Sequence, residues 1–288
     1  MKIAVASGKG GTGKTTVAVN LSYFFRTYLH KDIKLVDCDV EEPNDALFFP
    51  DSEVKKETDV FRQIPEINLN KCTFCKECAR WCEFNAIVII PGKKITEVDA
   101  NLCHSCGACS AACKFGAIIE KPEQLGSIRV YDTGMDAELV EGRLRIGSAM
   151  QTPLIKELKK EVSDVNCLVI YDAPPGTSCP VVETVADADY VILVTEPTPF
   201  GLHDLRITVD MLNVLKVCFG VVINKAGLGD DKVYRYLEHK KIDIIGEIPF
   251  SKEYAASYAS GAILDNIPDK IKYTYQGILT NLQAKLQL

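Results

Sequence analysis

Eight cysteines in two runs place the strongest limit on how this chain can fold. Cys72, Cys75, Cys78 and Cys82 form the first run; Cys103, Cys106, Cys109 and Cys113 form the second. Each reads C-x2-C-x2-C-x3-C, and every member recurs 31 residues later. The repeat extends past sulfur, with Asn70 matching Asn101, Phe84 matching Phe115, Ala86 matching Ala117 and Ile87 matching Ile118. Such self-similarity marks an internal duplication. Disulfides account poorly for it, because they suit small secreted domains. This chain has 288 residues, 47% of them apolar, enough for one large or two moderate cored domains. Its N-terminal stretch holds a glycine-rich motif where the apolar segment of a signal peptide would lie. Nor is there a run of ~18 apolar residues to span a membrane. The thiols are therefore expected to be reduced, in a cytoplasmic protein, and free to bind metal. Zinc usually takes two pairs of ligands split by a longer loop; three closely spaced thiolates better suit one face of a cubane cluster.

Glu66 to Lys121 resembles the bacterial two-cluster ferredoxins, in which the fourth cysteine of each run ligates the other cluster. The resemblance implies two 4Fe–4S clusters. One would sit on Cys72, Cys75, Cys78 and Cys113, the other on Cys103, Cys106, Cys109 and Cys82. The segment departs from the family where a proline should follow the last cysteine, since Glu83 and Lys114 stand there. That bears on turn geometry and potential more than on iron binding. Ile87 to Ile90 and Ala117 to Ile119 are expected as short strands that close over the clusters and keep water out.

The N-terminus carries a second constellation. Lys2 to Ser7 reads as a buried strand, and Val17, Leu21, Phe24 and Phe25 mark a helix. Between them runs Gly8-Lys9-Gly10-Gly11-Thr12-Gly13-Lys14-Thr15-Thr16. A G-x-x-x-x-G-K-T run between strand and helix is a phosphate loop. Its glycines let backbone N–H groups turn inward, and the helix N-terminus adds partial positive charge. Lys14 is placed for the β- and γ-phosphates of ATP, and the Thr15 hydroxyl for Mg²⁺. Further apolar runs at Ile33–Val36, Cys167–Tyr171, Tyr190–Thr195, Gly220–Ile223 and Ile244–Ile248 read as buried parallel strands. Helical stretches such as Asp204–Leu215 and Lys232–Glu238 alternate with them. The order predicts an α/β fold with a mostly parallel sheet and ligands beyond its carboxyl ends.

Lys9 refines the phosphate loop. A lysine just after the first glycine resembles the deviant Walker A of the MinD/ParA/Mrp/nitrogenase-iron-protein class, a SIMIBI-type P-loop NTPase fold. In that class the lysine reaches a partner's phosphates across a nucleotide-sandwiched dimer. Charge delivered in this way, as by an arginine finger, is worth ~10³–10⁵ in rate. Asp37-Cys38-Asp39-Val40-Glu41-Glu42-Pro43-Asn44 resembles the family's switch I. The likeness implies that Asp39 activates the attacking water and Asp37 supports Mg²⁺. Asp172-Ala173-Pro174-Pro175-Gly176-Thr177 resembles the switch II of the Mrp branch. There Asp172 would bind Mg²⁺ and the Gly176 N–H would sense the γ-phosphate. Asn224 occupies the position that reads adenine, and Pro249 and Phe250 would flank the base. The match covers Met1–Pro50 and Gly126–Leu288. It implies an ATPase domain at 1–58 and 123–288 and an inserted α+β ferredoxin domain at 59–122, with Asp51–Arg62 as the entry linker.

Cys179 lies seven residues beyond Asp172, the offset at which the nitrogenase iron protein binds a cluster shared across its dimer. An intersubunit cluster on Cys179 is weighed against simple packing. Cys38, Cys167 and Cys218 are expected in the core. The tail (Ile278, Leu279, Leu282, Leu286) carries only Lys285 as a cation, so it is expected as a packed helix without stable membrane attachment. A net charge of −6 argues against nucleic acid as a partner. The resemblance implies a nucleotide-dependent homodimer, or a heterodimer with a related ATPase. The leading reading is an ATP-gated electron carrier acting on a redox partner. Behind it stand a cluster or metallocofactor maturation ATPase, which the missing C-terminal C-x-x-C disfavours, and a MinD/ParA-like positioning ATPase.

Overall fold

A strand buried on both faces is apolar at every position rather than at alternate ones, and the chain begins with such a strand. In the computed structural model, which describes residues 1–135, 137–163, 165–265 and 267–286, β1 (Lys2–Ala6) leaves Ile3, Ala4, Val5 and Ala6 with no exposed surface. Helix α1 (Lys14–Leu29) and β2 (Ile33–Asp37) follow. Next come β3 (Glu53–Ile67), α2 (Glu77–Arg80), β4 (Ile87–Ile90), β5 (Ile95–Val98), α3 (Ala108–Ala112) and β6 (Ile118–Asp132). The chain continues through β7 (Ala137–Leu144), α4 (Gln151–Lys160), β8 (Leu168–Asp172), α5 (Cys179–Val185) and β9 (Tyr190–Thr195). It ends with α6 (Pro199–Leu215), β10 (Phe219–Ala226), α7 (Lys232–Lys240), β11 (Ile244–Pro249), α8 (Lys252–Ala259) and α9 (Asp269–Leu286).

Two compact units divide these elements. The first holds Met1–Glu57, Ile128–Arg143 and Ile155–Leu288, and the second holds Thr58–Ser127 and Leu144–Leu154. Hydrogen-bonded strands follow the order β11-β10-β9-β1-β8-β2-β7-β6-β3, with β4 and β5 forming a separate antiparallel pair. Parallel ladders join β1 to β8 and β9, β2 to β8 and β7, and β10 to β9 and β11. The consecutive order β1-β8-β2 brings three strand ends together, and open α/β sheets bind their ligands at such carboxyl ends. In the first unit, Phe24 of α1 stacks on Tyr275 of α9 with ring centroids 5.1 Å apart. Ile278, Leu279 and Leu282 are buried beside them, so the tail packs on the core as expected. Among the described residues no helix is long and apolar enough to cross a membrane.

The strands expected at the apolar runs correspond to β2 and β8–β11, with β10 extended to Ala226. The linker expectation for Asp51–Arg62 is corrected, because β3 begins at Glu53. Its first seven residues are exposed, so no apolar alternation marks it. Ion pairs from Lys55 to Asp132 and from Glu57 to Arg129, each 2.9 Å, support it instead. Charged side chains also keep a strand at the end of a sheet from pairing with another chain. Ala117–Ile119 is not a strand of its own but leads into the 15-residue β6. Of the three cysteines expected in the core, only Cys38 is buried; Cys167 is half-buried and Cys218 exposed. These two precede β8 and β10 rather than lying within them.

Candidate functional site

Helix α1 starts at Lys14, directly after Gly13, whose φ is +89°. A Cβ there would strike the Asn224 amide, and one on Gly8 would come within 2.6 Å of the Asp204 carbonyl oxygen. Space as well as φ therefore selects glycine in this loop. Lys14 is buried, with Nζ 2.8 Å from Asp172 Oδ1. The Thr15 hydroxyl donates to Asp172 Oδ2 at 2.6 Å. Across β8, the segment after β2 folds back on Asp37. Asp37 Oδ1 accepts the N–H of Asp39 at 3.0 Å, and Oδ2 accepts those of Asn44 at 2.8 Å and Asp45 at 3.0 Å. The ends of β1, β2 and β8 thus bring Lys14, Thr15, Asp37 and Asp172 together.

Electrostatics follow from this crowding. Burial, reinforced by the charge of Asp172, pushes Asp37 up to about 7. Burial also pushes Asp39 up to about 6, against the pull of Lys14. For Lys14 itself burial favours the neutral amine, but Asp172, Asp39 and Asp37 outweigh it and hold the pKa above the ordinary value. Lys14 is therefore a fixed cation. Asp39 has the proton affinity of a group that can take a proton near neutrality. The donor set of Thr15, Asp37 and Asp172 is all oxygen, which fits Mg²⁺.

The other expected nucleotide residues have partners of their own. The Gly176 N–H donates to the Ser7 carbonyl at 3.0 Å. Asn224 Nδ2 donates to the Thr12 carbonyl at 2.7 Å, and its Oδ1 accepts from the Lys225 N–H at 2.9 Å. Asn224 thus braces the loop, whereas the sequence assigns its amide to adenine. Pro249, Phe250, Tyr254 and Tyr258 line a cavity of about 210 Å³ with Gly11, Gly13 and Thr16 at its edge. Its aromatic walls suit a planar base. Gly10 lies exposed at the loop tip. Lys9 Nζ is 2.5 Å from Glu196 Oε1, and Lys225 Nζ is 3.0 Å from Glu196 Oε2. Burial works to raise Glu196, but the two ammoniums hold it below its usual value. Sequence reading missed Glu196, which belongs to no motif.

In the second unit the cysteine runs interleave. Cys72, Cys75 and Cys78 line the same cavity as Cys113. Cys103, Cys106 and Cys109 line a second cavity with Cys82. Backbone donors repeat with the same period. Phe74 and Ser105 donate to Cys72 and Cys103 at 3.4 Å, and Ala86 and Ala117 to Cys82 and Cys113 at 3.3 Å. Burial pushes the Cys78 thiol up to about 11 and raises Cys103 and Cys109 as well. Four sulfur donors per cavity, with N–H groups aimed at sulfur, fit an iron–sulfur cluster. Arg62 belongs to β3 rather than to a linker. It is 7% exposed, with Nε and Nη2 at 2.9 and 2.7 Å from Glu123 Oε2 and Nη1 at 3.3 Å from the Cys103 carbonyl. Cys179 is exposed at the first position of α5, so packing does not explain it.

A family model described as the CobQ/CobB/MinD/ParA nucleotide binding domain matches residues 3–264. Two relatives come from Methanocaldococcus jannaschii. Uncharacterized protein MJ0578 is 35% identical over 231 residues, 80% of each chain. Uncharacterized protein MJ0579 is 32% identical over 270 residues, 91% of this chain and 90% of the relative. An iron-sulfur cluster carrier protein of Pyrococcus furiosus is 27% identical over 85% of this chain and 67% of its own length. Among solved structures, the septum site-determining protein MinD of Pyrococcus horikoshii, complexed with Mg-ADP, gives a TM-score of 0.61 at 15% identity. That likeness covers 99% of this chain and 96% of the other, and at such identity it concerns the fold.

Proposed function

This chain belongs to the CobQ/CobB/MinD/ParA nucleotide-binding family, and on that premise we propose that it is an ATP-hydrolysing iron–sulfur protein. In this reading nucleotide-dependent dimer closure is coupled to electron transfer toward a partner protein. The observation that carries it is the sorting of cysteines into two cavities, three from one run and the fourth from the other. The loop from Gly8 to Thr16 holds the phosphates, and the cavity beside Pro249 and Phe250 takes the base. Thr15, Asp37 and Asp172 hold Mg²⁺, whose charge offsets that developing on the transferred phosphoryl. Asp39 orients water and accepts its proton. Gly176, released from the Ser7 carbonyl, donates to the γ-phosphate. Lys9, released from Glu196, supplies charge across a homodimer or a heterodimer with a related ATPase. Cys72, Cys75, Cys78 and Cys113 hold one 4Fe–4S cluster and Cys103, Cys106, Cys109 and Cys82 the other, a pair suited to one-electron transfer.

The test is direct. The anaerobic chain is reduced, ATP is added with oxidised methyl viologen as acceptor, and both clusters are followed by EPR. Faster oxidation with ATP, at unchanged iron content, is the expected result. The second reading, a cluster-delivery ATPase, is favoured by the 27% likeness to an iron-sulfur cluster carrier protein. It predicts instead ATP-dependent loss of iron to an apo-protein. Hydrolysis that ignores the redox state, with neither effect, would point to clusters that are only structural.

A further inference from the structure

One carboxylate at the nucleotide loop has no part in the machinery above. Asp45 opens a single helical turn, Asp45–Phe48, just past Asn44. Its N–H donates to Asp37 Oδ2 at 3.0 Å. The residue has no exposed surface; among the described residues its carboxyl oxygens meet no amide, amine or hydroxyl donor, and its polar neighbour is the carboxyl of Asp172. One ligand oxygen from each of Asp37, Asp45 and Asp172 lies within 4.8 Å of the others, all three residues being buried. Lys14 is the ammonium at this cluster, and it is already bonded to Asp172 Oδ1 at 2.8 Å. Three buried acids thus face one cation, with Asp39 a partly buried fourth acid at their side. An uncompensated buried carboxylate is costly, and such charges are normally paired or bound to metal. Oxygen-only donors with no imidazole or thiolate select a hard divalent ion.

We propose that Asp37, Asp45 and Asp172 form a divalent-cation site, for Mg²⁺ or Mn²⁺, that fills without nucleotide. A phosphate-loop Mg²⁺ ordinarily depends on phosphate oxygens for much of its coordination, because one or two carboxylates complete it. The third carboxylate here replaces part of that contribution. The Thr15 hydroxyl, 2.6 Å from Asp172 Oδ2, borders the same space, so an incoming triphosphate would meet an ion already in place. The proposal does not rest on the ATP reading. The site would hold its ion even if the loop bound another phosphate ligand.

The probe is Mn²⁺, titrated into the oxidised, nucleotide-free, chelator-stripped full chain, with free ion read by its EPR signal. A single bound Mn²⁺ per chain, displaced by Mg²⁺, is expected. Asp45→Asn should bind it at least about tenfold more weakly. Melting temperature gives a second readout. Without metal, Asp45→Asn should melt no lower than the parent, since it keeps the side chain's shape and takes one acid out of a crowded, buried group. Mn²⁺ should then raise the melting temperature of the parent and not of the variant. Binding that is equal in both proteins overturns the proposal, and so does a parent that binds Mn²⁺ only after ATP is added. The latter outcome would mean that Asp45 shares a proton with its neighbours, and it would leave the nucleotide reading intact.

Discussion

Glu196 engages two ammoniums at once, Lys9 at 2.5 Å and Lys225 at 3.0 Å, and this sets a cost on the proposed reach of Lys9 into another protomer. Lys9 must leave its own chain before it can reach a partner's phosphate. A partly exposed pair of this kind is worth about 1 kcal/mol. Each protomer of a homodimer gives up one such pair, so Glu196→Ala should let the dimer form, with a non-hydrolysable ATP analogue, at roughly thirtyfold lower protein concentration. Sedimentation velocity reads this; an unchanged or weaker dimer would show that closure does not wait on Lys9. The carboxylates at the loop give a second prediction. Asp39 and Asp37 titrate at about 6 and about 7 in the fold, above the ordinary 3.8. The folded chain then keeps protons that the unfolded chain has lost, so this stability is complete below about pH 4. It drains away as pH rises through 6 to 7, the reverse of an ion-paired acid. Without cation or nucleotide, the urea midpoint should fall across that window, and Asp39→Asn should flatten the slope. Equal slopes in parent and variant would remove Asp39 as a cause.

Legibility differs among the elements for a physical reason. Strands β1, β8 and β9 announce themselves because burial on both faces calls for an unbroken apolar run, β2, β10 and β11 by shorter apolar stretches, and the phosphate loop because only glycine fits beside Asp204 and Asn224. The period of 31 residues is legible in the sequence, and in the fold it brings equivalent N–H donors to equivalent sulfurs. Strand β3 was not readable. Glu53 to Asp59 are exposed, and their partners on β6 are remote in sequence. Asp45 follows Pro43-Asn44 and looks like an ordinary turn acid; only its burial distinguishes it. Arg62, on β3, shows what was hidden. Its guanidinium binds Glu123 and the Cys103 carbonyl. Arg62→Leu removes a largely buried pair whose acid is 26% exposed, and should cost about 2 kcal/mol. It also removes positive charge beside Cys103. The cluster proposed on Cys82, Cys103, Cys106 and Cys109 should then be harder to reduce, its midpoint potential falling while that of the other proposed cluster stays put. An EPR redox titration decides this, and equal shifts at both clusters would contradict a local effect.

At the scale of the whole molecule, the question is how a phosphate could influence sulfur so far along the chain. Both ends of the cysteine-bearing segment lead back to β2. On entry, the Asp37-bound segment to Asp45 continues through the turn Asp45–Phe48 into β3, which leads to Cys72. On exit, β6 runs from Ile118 to Asp132 and is followed by β7. Strand β7 pairs with β2 in parallel, Asp37 opposite Glu141, while Asp37 on its other side lies opposite Asp172. A nucleotide that orders Asp39–Asn44 thus acts on backbone that runs on toward β3 and that directly follows β2, the ladder partner of β7. Local opening of such a segment is a free energy, and a ligand that closes it should slow amide exchange throughout the cooperative unit. A non-hydrolysable ATP analogue is therefore expected to slow exchange from Asp39 to Phe49 by roughly tenfold, or about 1.4 kcal/mol. The protection should extend into Glu53–Glu57 and Leu139–Glu141, and leave β10 and β11 little changed outside the base cavity. Lys14→Ala, which removes the buried cation proposed to bind the phosphates, should abolish all of it. Protection confined to Gly8–Thr16 would mean that Asp39–Phe49 and the strands beyond it do not sense the nucleotide, and it would overturn this route for the proposed coupling.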